Sequence, residues 1–223
     1  MSLVKYNNNS ISSLTTAGQL ASGSLVPISE QTASGSASIS FTTGIDSTYP
    51  IYKFEFINIH PSTNHTDFKF NMSTDGGSNY NVTKTTTAFN AYHSENDAAS
   101  ALQYHNGSDL AQSTSDQNIA YYVSNDNDGS ASGELYLFNP SSTTFVKHFL
   151  ARANSVYKDT ADGNSPYTHD FYNAGYGNTI SAVDAIIFRM SSGNIDSGTI
   201  KLYGIKDSWW YNFIIEQTKF VAQ

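Results

Sequence analysis

Apolar residues recur at every second position along most of this chain. Tyr52, Phe54 and Phe56 alternate with Lys53 and Glu55; Phe68, Phe70 and Met72 alternate with Asp67, Lys69 and Asn71; Ile200 and Leu202 alternate with Thr199, Lys201 and Tyr203. A period of two places the apolar set on one face of an extended strand. Residues 183–190 depart from it, with Ile186, Phe188 and Met190 on one side and Val183, Ala185 and Ile187 on the other. Two apolar faces suit a strand inside a sheet that is covered above and below. A polar loop joins this run to residues 199–205, and the two runs are expected to pair.

Further strands are expected over residues 36–42, 51–59, 67–72, 80–89, 119–123, 134–138 and 143–150, by alternation and by the turn residues between them. Asp75-Gly76-Gly77 supplies positive-φ turn positions, and Asn139-Pro140-Ser141-Ser142 suits a hairpin. Residues 94–102 predict one short helix, with Ser94 as its cap, Asp97 three residues on, and Ala98, Ala99 and Ala101 inside. Residues 106–116 read as loop. Residues 154–177 read as a long irregular excursion. No strand–helix–strand alternation and no fixed repeat occur. The fold class expected is therefore all-β: an antiparallel β-sandwich, jelly-roll-like, over residues 36–206. Residues 1–35 carry only sparse apolar residues and read as an extended N-terminal arm laid on a neighbouring subunit, or as an unstructured end. Residues 207–223 form an aromatic tail that either folds back on the domain or docks into another chain.

Composition narrows the function. Only 13% of the 223 residues are charged, about half the usual quarter, so Ser, Thr, Asn, Gly and Tyr must build the polar surface. With 11 Lys and Arg and a net charge of −8, neither nucleic acid nor an anionic membrane is an expected partner. The absence of cysteine excludes disulfides and thiolate zinc sites. No apolar run is long enough for a membrane helix, and no apolar stretch follows Lys5 as in a secretory signal. A protein of this kind that works outside cells is expected to leave by another route, such as lysis.

No chemistry-bearing constellation stands out. His60, His65, His93, His105, His148 and His169 are scattered, and no nucleophile elbow, phosphate loop or dinucleotide motif occurs. Residues 124–129 resemble a calcium loop with Asp126, Asp128 and Gly129 in place, but Leu135 stands where the bidentate acid belongs. No catalytic residue, metal ligand or cofactor is assigned. Two groups of candidate contact residues remain. Tyr157, Tyr167, Tyr172 and Tyr176 form either a glycan-binding surface or packing onto the sheets. Val4, Tyr6 and Leu14 in the arm, with Trp209, Trp210 and Phe213 in the tail, are candidate intersubunit anchors.

The segments KYNNNSISSLT, STYPIYKFEFINIHPS, GELYLFNPSSTTFVKHF and SAVDAIIFRMSSGNIDSGTIKLYGIK carry a resemblance. In them the chain resembles small virion structural proteins of tailed marine bacteriophages, the cyanophage type especially. IDSGTIKLYGIK is the most specific phrase. The resemblance implies a non-enzymatic β-sandwich on the exterior of the particle, as a capsid decoration or accessory protein or a tail-associated fibre or knob. Its partners would then be other virion proteins and further copies of itself. The competing expectation is a lectin-like module that contacts host-surface glycans through the loop tyrosines.

Overall fold

The computed structural model describes residues 25–158 and 165–206. These form twelve strands: β1 (Leu25–Ser36), β2 (Ile39–Phe41), β3 (Ile51–Pro61), β4 (Thr66–Ser73), β5 (Lys84–Ser94), β6 (Ser100–Tyr104), β7 (Gln117–Val123), β8 (Ala131–Phe138), β9 (Lys147–Lys158), β10 (Pro166–Gly177), β11 (Ala185–Met190) and β12 (Ile195–Ile205). No helix occurs among the described residues. The chain is all-β, and every pairing is antiparallel.

Eight strands form one sheet in the order β1-β12-β3-β8-β9-β10-β5-β6, and four form a second in the order β2-β11-β4-β7. Setting aside β5–β6 and β9–β10, the pairing is nested. The first strand pairs with the last, β1 with β12; then β2 with β11, β3 with β8, and β4 with β7. The two remaining hairpins widen the large sheet beyond β8.

Alternation places the inner faces of the two sheets against each other. Phe188 of β11 is fully buried, and its ring lies 5.2 Å from those of both Phe54 and Phe56 on β3. Phe56 meets Phe68 of β4 at 5.1 Å, and Phe70 of β4 meets Phe149 of β9 at 5.0 Å. These edge-on and tilted contacts join the sheets into one core. Backbone constraint fixes one register. Gly198 has φ +120°, and a Cβ there would stand 2.6 Å from the Asn58 carbonyl oxygen. The β3–β12 ladder shifts register at this place, as a bulge requires.

Several expectations are confirmed in detail. Gly76 and Gly77 take positive φ, and β8 and β9 form the hairpin around Asn139 and Pro140. Others need correction. The runs at 183–190 and 199–205 do not pair: β11 lies between β2 and β4, and β12 between β1 and β3. Alternation reports a strand's face, not its neighbour. The expected helix at 94–102 is a turn leading into β6. Ser94 N–H donates to the Ala99 carbonyl, and Ala99 N–H donates to Ser94 Oγ. The cap-like serine thus closes a hairpin, and Asp97 at φ +58° is incompatible with a helix interior. Within the stretch 154–177, read as irregular, residues 154–158 and 166–177 are strand. From Lys147↔Gly177 to Lys158↔Pro166, β9 and β10 pair without a shift. The inward side of that hairpin carries Ser155, Tyr157, His169 and Asn173, so apolar alternation was absent. Residues 25–35, assigned to the arm, belong to β1. The rest of the arm and the tail lie outside the described residues.

Phe188→Ala removes the ring shared by both sheets and is expected to cost about 4 kcal/mol, read as a lower urea midpoint at unchanged slope.

Candidate interaction surface

The outward face of the eight-stranded sheet is organised in rows by the strand register. At one end, Leu25, Ile205, Ile51 and Phe138 stand side by side across β1, β12, β3 and β8. The same row continues with the pair His148 and Tyr176 on β9 and β10. The next row holds Tyr203, Lys53, Tyr136, Leu150, Ala174 and Thr87. Over β8, β9, β10 and β5 these two rows bound an open groove of about 550 Å³, lined by Phe138, His148, Leu150, Ala174, Tyr176 and threonines. No carboxylate, lysine or arginine lines it. Leu150 is 52% exposed.

Two loops at this end add to the apolar surface. Phe145, 69% exposed, precedes β9, and Ile180, 62% exposed, follows β10. Lys147 ties the loops together: its buried Nζ donates to the Phe145 and Thr179 carbonyls at 2.7 and 3.2 Å. Burial pushes this lysine below its ordinary pKa. The described chain begins at Leu25 and stops just beyond Ile205, and these two residues are paired neighbours. Both terminal segments therefore adjoin the body at the apolar corner. Leu25, Phe145, Leu150 and Ile180 thus share one end of the body, while the exposed Leu102 and Tyr104 lie on the edge strand β6; an exposed apolar surface of this kind marks an interaction site.

The third row is charged: Lys201, Glu55, Glu134 and Arg152, then Tyr172 and Phe89. Lys53 bridges both glutamates, at 2.7 Å to Glu55 and 3.0 Å to Glu134. Burial would lower the Lys53 pKa, but these bonds outweigh it and raise it, and the same contact lowers that of Glu55. Arg152 grips Asp170 through two hydrogen bonds, at 3.0 and 2.7 Å, and its hydrogen bonds lower the Asp170 pKa. Glu55, Glu134, Arg152, Asn154 and Asp170 line a second, polar trough of about 470 Å³. Glu55 and Asp170 are held ionised, so neither is set up as a general acid.

The four candidate tyrosines separate. Tyr172 and Tyr176 lie on the outward face, Tyr157 and Tyr167 on the inward face of the same hairpin. Tyr172 has the Arg152 guanidinium over one side at 4.7 Å and the Phe89 ring stacked at 4.8 Å on the strand beyond. Both faces of its ring are taken, and no sugar can stack on it. Val4, Tyr6, Leu14, Trp209, Trp210 and Phe213 lie outside the described residues.

Tyr157 and Tyr167 join an aromatic cluster that has little signature in the sequence. It also includes His65, Tyr92, Tyr121, Tyr122 and His169. Tyr121 and Tyr122 are consecutive yet stacked at 3.8 Å, and Tyr122 sits at φ +50°, which turns both rings to one side. His169 is buried, and its Nδ1 has no protein hydrogen-bond partner. Burial, then repulsion from His105, pushes its pKa down to about 4. Residues 124–129 form the β7–β8 turn, with Asp126 paired to Lys158 at 3.2 Å. Among the described residues no three His, Asp or Glu side chains converge as metal ligands.

No protein-family model, no curated protein and no solved structure matches the chain.

A histidine whose folded pKa lies below its unfolded value stabilises the fold above the unfolded pKa. That stability is lost as pH falls. The body is therefore expected to lose up to about 3 kcal/mol as pH falls from 6.5 to about 4. In His169→Phe the acid side of the melting-temperature profile flattens; an unchanged profile contradicts this assignment.

Proposed function

We propose that this chain is a non-enzymatic structural component of a bacteriophage virion, carried on the particle exterior as a capsid decoration or accessory protein or as a tail-associated fibre or knob. We read its fold as a β-sandwich of jelly-roll type. The nested pairing of β1 with β12, β2 with β11, β3 with β8 and β4 with β7 supports that reading. A ribbon rolled in this way is an architecture used by viral coats and lectins. The sequence resemblance to phage virion proteins points the same way.

The observation that carries the reading is the apolar corner. Leu25 and Ile205 are paired at the same end of the large sheet as the groove and the exposed Phe145 and Ile180. Terminal segments anchored at such a corner can grip neighbouring subunits while the far end of the body faces outward. Val4, Tyr6 and Leu14 on one side, and Trp209, Trp210 and Phe213 on the other, are the proposed contacts with other virion proteins and with further copies of the chain. A net charge of −8 disfavours adhesion to packaged nucleic acid through like-charge repulsion.

A second reading, a lectin-like module, has one observation in its favour: the polar trough with Arg152, Asn154 and Asp170 at its floor and rim. It would bind host-surface glycans by hydrogen bonds rather than by stacking on Tyr172. Asn154→Ala, with Tyr172→Ala as control, tests it on a glycan array, where silence of the unmodified protein removes it.

Mass-spectrometric copy counting on purified particles tests the primary reading. Copies on the order of hundreds indicate the shell, and a handful indicate the tail, since symmetry sets the count. Absence from particles overturns the proposal. Removing residues 1–24 spares β1, so the shortened chain is expected to keep its melting temperature but to lose incorporation. Unfolding of that chain would mean that the segment belongs to the core.

A further inference from the structure

We propose that residues 207–223 of the chain occupy the apolar groove on the outward face of its own eight-stranded sheet. Three observations converge on this occupant. The groove has no charged lining, and its centre, Leu150, stands half exposed in a surface row otherwise crossed by strands. The segment that follows Lys206 is DSWWYNFIIEQTKFVAQ, with six large apolar or aromatic residues between Trp209 and Ile215. And β12 delivers the chain to the groove's own row, because Ile205 is level with Ile51 and Phe138.

Reach is sufficient. Phe138 lies two strands from Ile205, about 10 Å across the sheet, and Tyr176 lies four strands away, about 19 Å. About six extended residues span the longer distance. A segment tethered this closely has an effective concentration on the order of millimolar for its own groove, so the isolated molecule fills it in cis. The link to the proposed function is exchange. On a particle the same segment can pass to a neighbour's groove, with the same contacts made between copies. That last step rests on the virion reading; occupancy of the groove does not.

The sequence supplies its own probe, since Trp209 and Trp210 are its only two tryptophans. In the full-length protein, tryptophan emission is expected to be blue-shifted and shielded from acrylamide, unchanged on dilution. Leu150→Glu or Ala174→Glu places a charge in the groove from an exposed or half-exposed position. Each is expected to red-shift the emission and raise acrylamide quenching several-fold, with far-UV circular dichroism unchanged. Asn125→Glu, in the turn at the opposite end of β8, should change neither. Emission of a solvent-exposed indole in the unmodified protein overturns the proposal. So does shielding that survives both groove substitutions, or shielding that disappears on dilution. If the protein proves absent from virions, the function falls and the groove assignment stands.

Discussion

Each sheet has one apolar face that must be kept from water, and only the other sheet is there to cover it. That mutual burial, centred where Phe188 of β11 meets Phe54 and Phe56 of β3, is what the rest of the structure depends on. Yet the sheets are unequal, eight strands against four. The small sheet ends at β7, which reaches β10 through Tyr121, 6.2 Å from both His169 and Phe171, and the chain covers the rest of the large sheet with polar and aromatic groups. Thr86 Oγ donates to Gln117 Oε1 at 2.7 Å, and Gln117 Nε2 donates to the Ser108 carbonyl at 2.9 Å, so the 105–116 loop closes over the overhang. Lys84 is fully buried beside it and donates to Asn71 Oδ1 and the Val82 carbonyl at 2.6 and 2.7 Å. Burial brings its pKa down to about 8, against the pull of Asp116. Asp116 is itself held by Arg189 at 2.6 Å. A buried cation of this kind is tolerable only while such partners surround it.

The same inequality explains what could be read from the sequence. Strands under the small sheet show apolar alternation, because their inner residues face hydrocarbon. β3, β4 and β12 were therefore legible almost residue by residue. The second half of β9, most of β10 and the end of β5 face polar groups and rings, so His169, Asn173, Ser155 and Asn90 occupy positions where Val or Leu would have signalled a strand. Partner choice was not legible at all. β11 and β12 are separated by a four-residue crossing, residues 191–194, and nothing local states that the chain changes sheet there. The helix expectation failed because Ser94, a good cap, is equally good at closing a tight turn between paired strands.

The candidate surface was half visible. Terminal clusters of large apolar residues announce a need for cover, and the sequence shows them without showing where they go. The groove itself comes from residues that are unremarkable in isolation, Leu150 and Ala174 on polar strands and Phe138 at a strand end, and Phe145 and Ile180 stand in loops at the same end of the body. Only the register across β8, β9 and β10 brings them to one corner. The tyrosines show the converse. They are conspicuous in sequence, but Tyr172 is spent in a ladder between Arg152 and Phe89, and Tyr157 and Tyr167 face inward.

In the proposed virion, the apolar corner is the attachment end of the molecule. Site-specific photo-cross-linking in purified particles tests this most directly, with the reactive residue placed either at Phe145, at that corner, or at Asn125, at the far end of β8. Capture of a neighbouring virion protein or a second copy is expected from position 145 and none from position 125. Capture from position 125 with silence at 145 would contradict it.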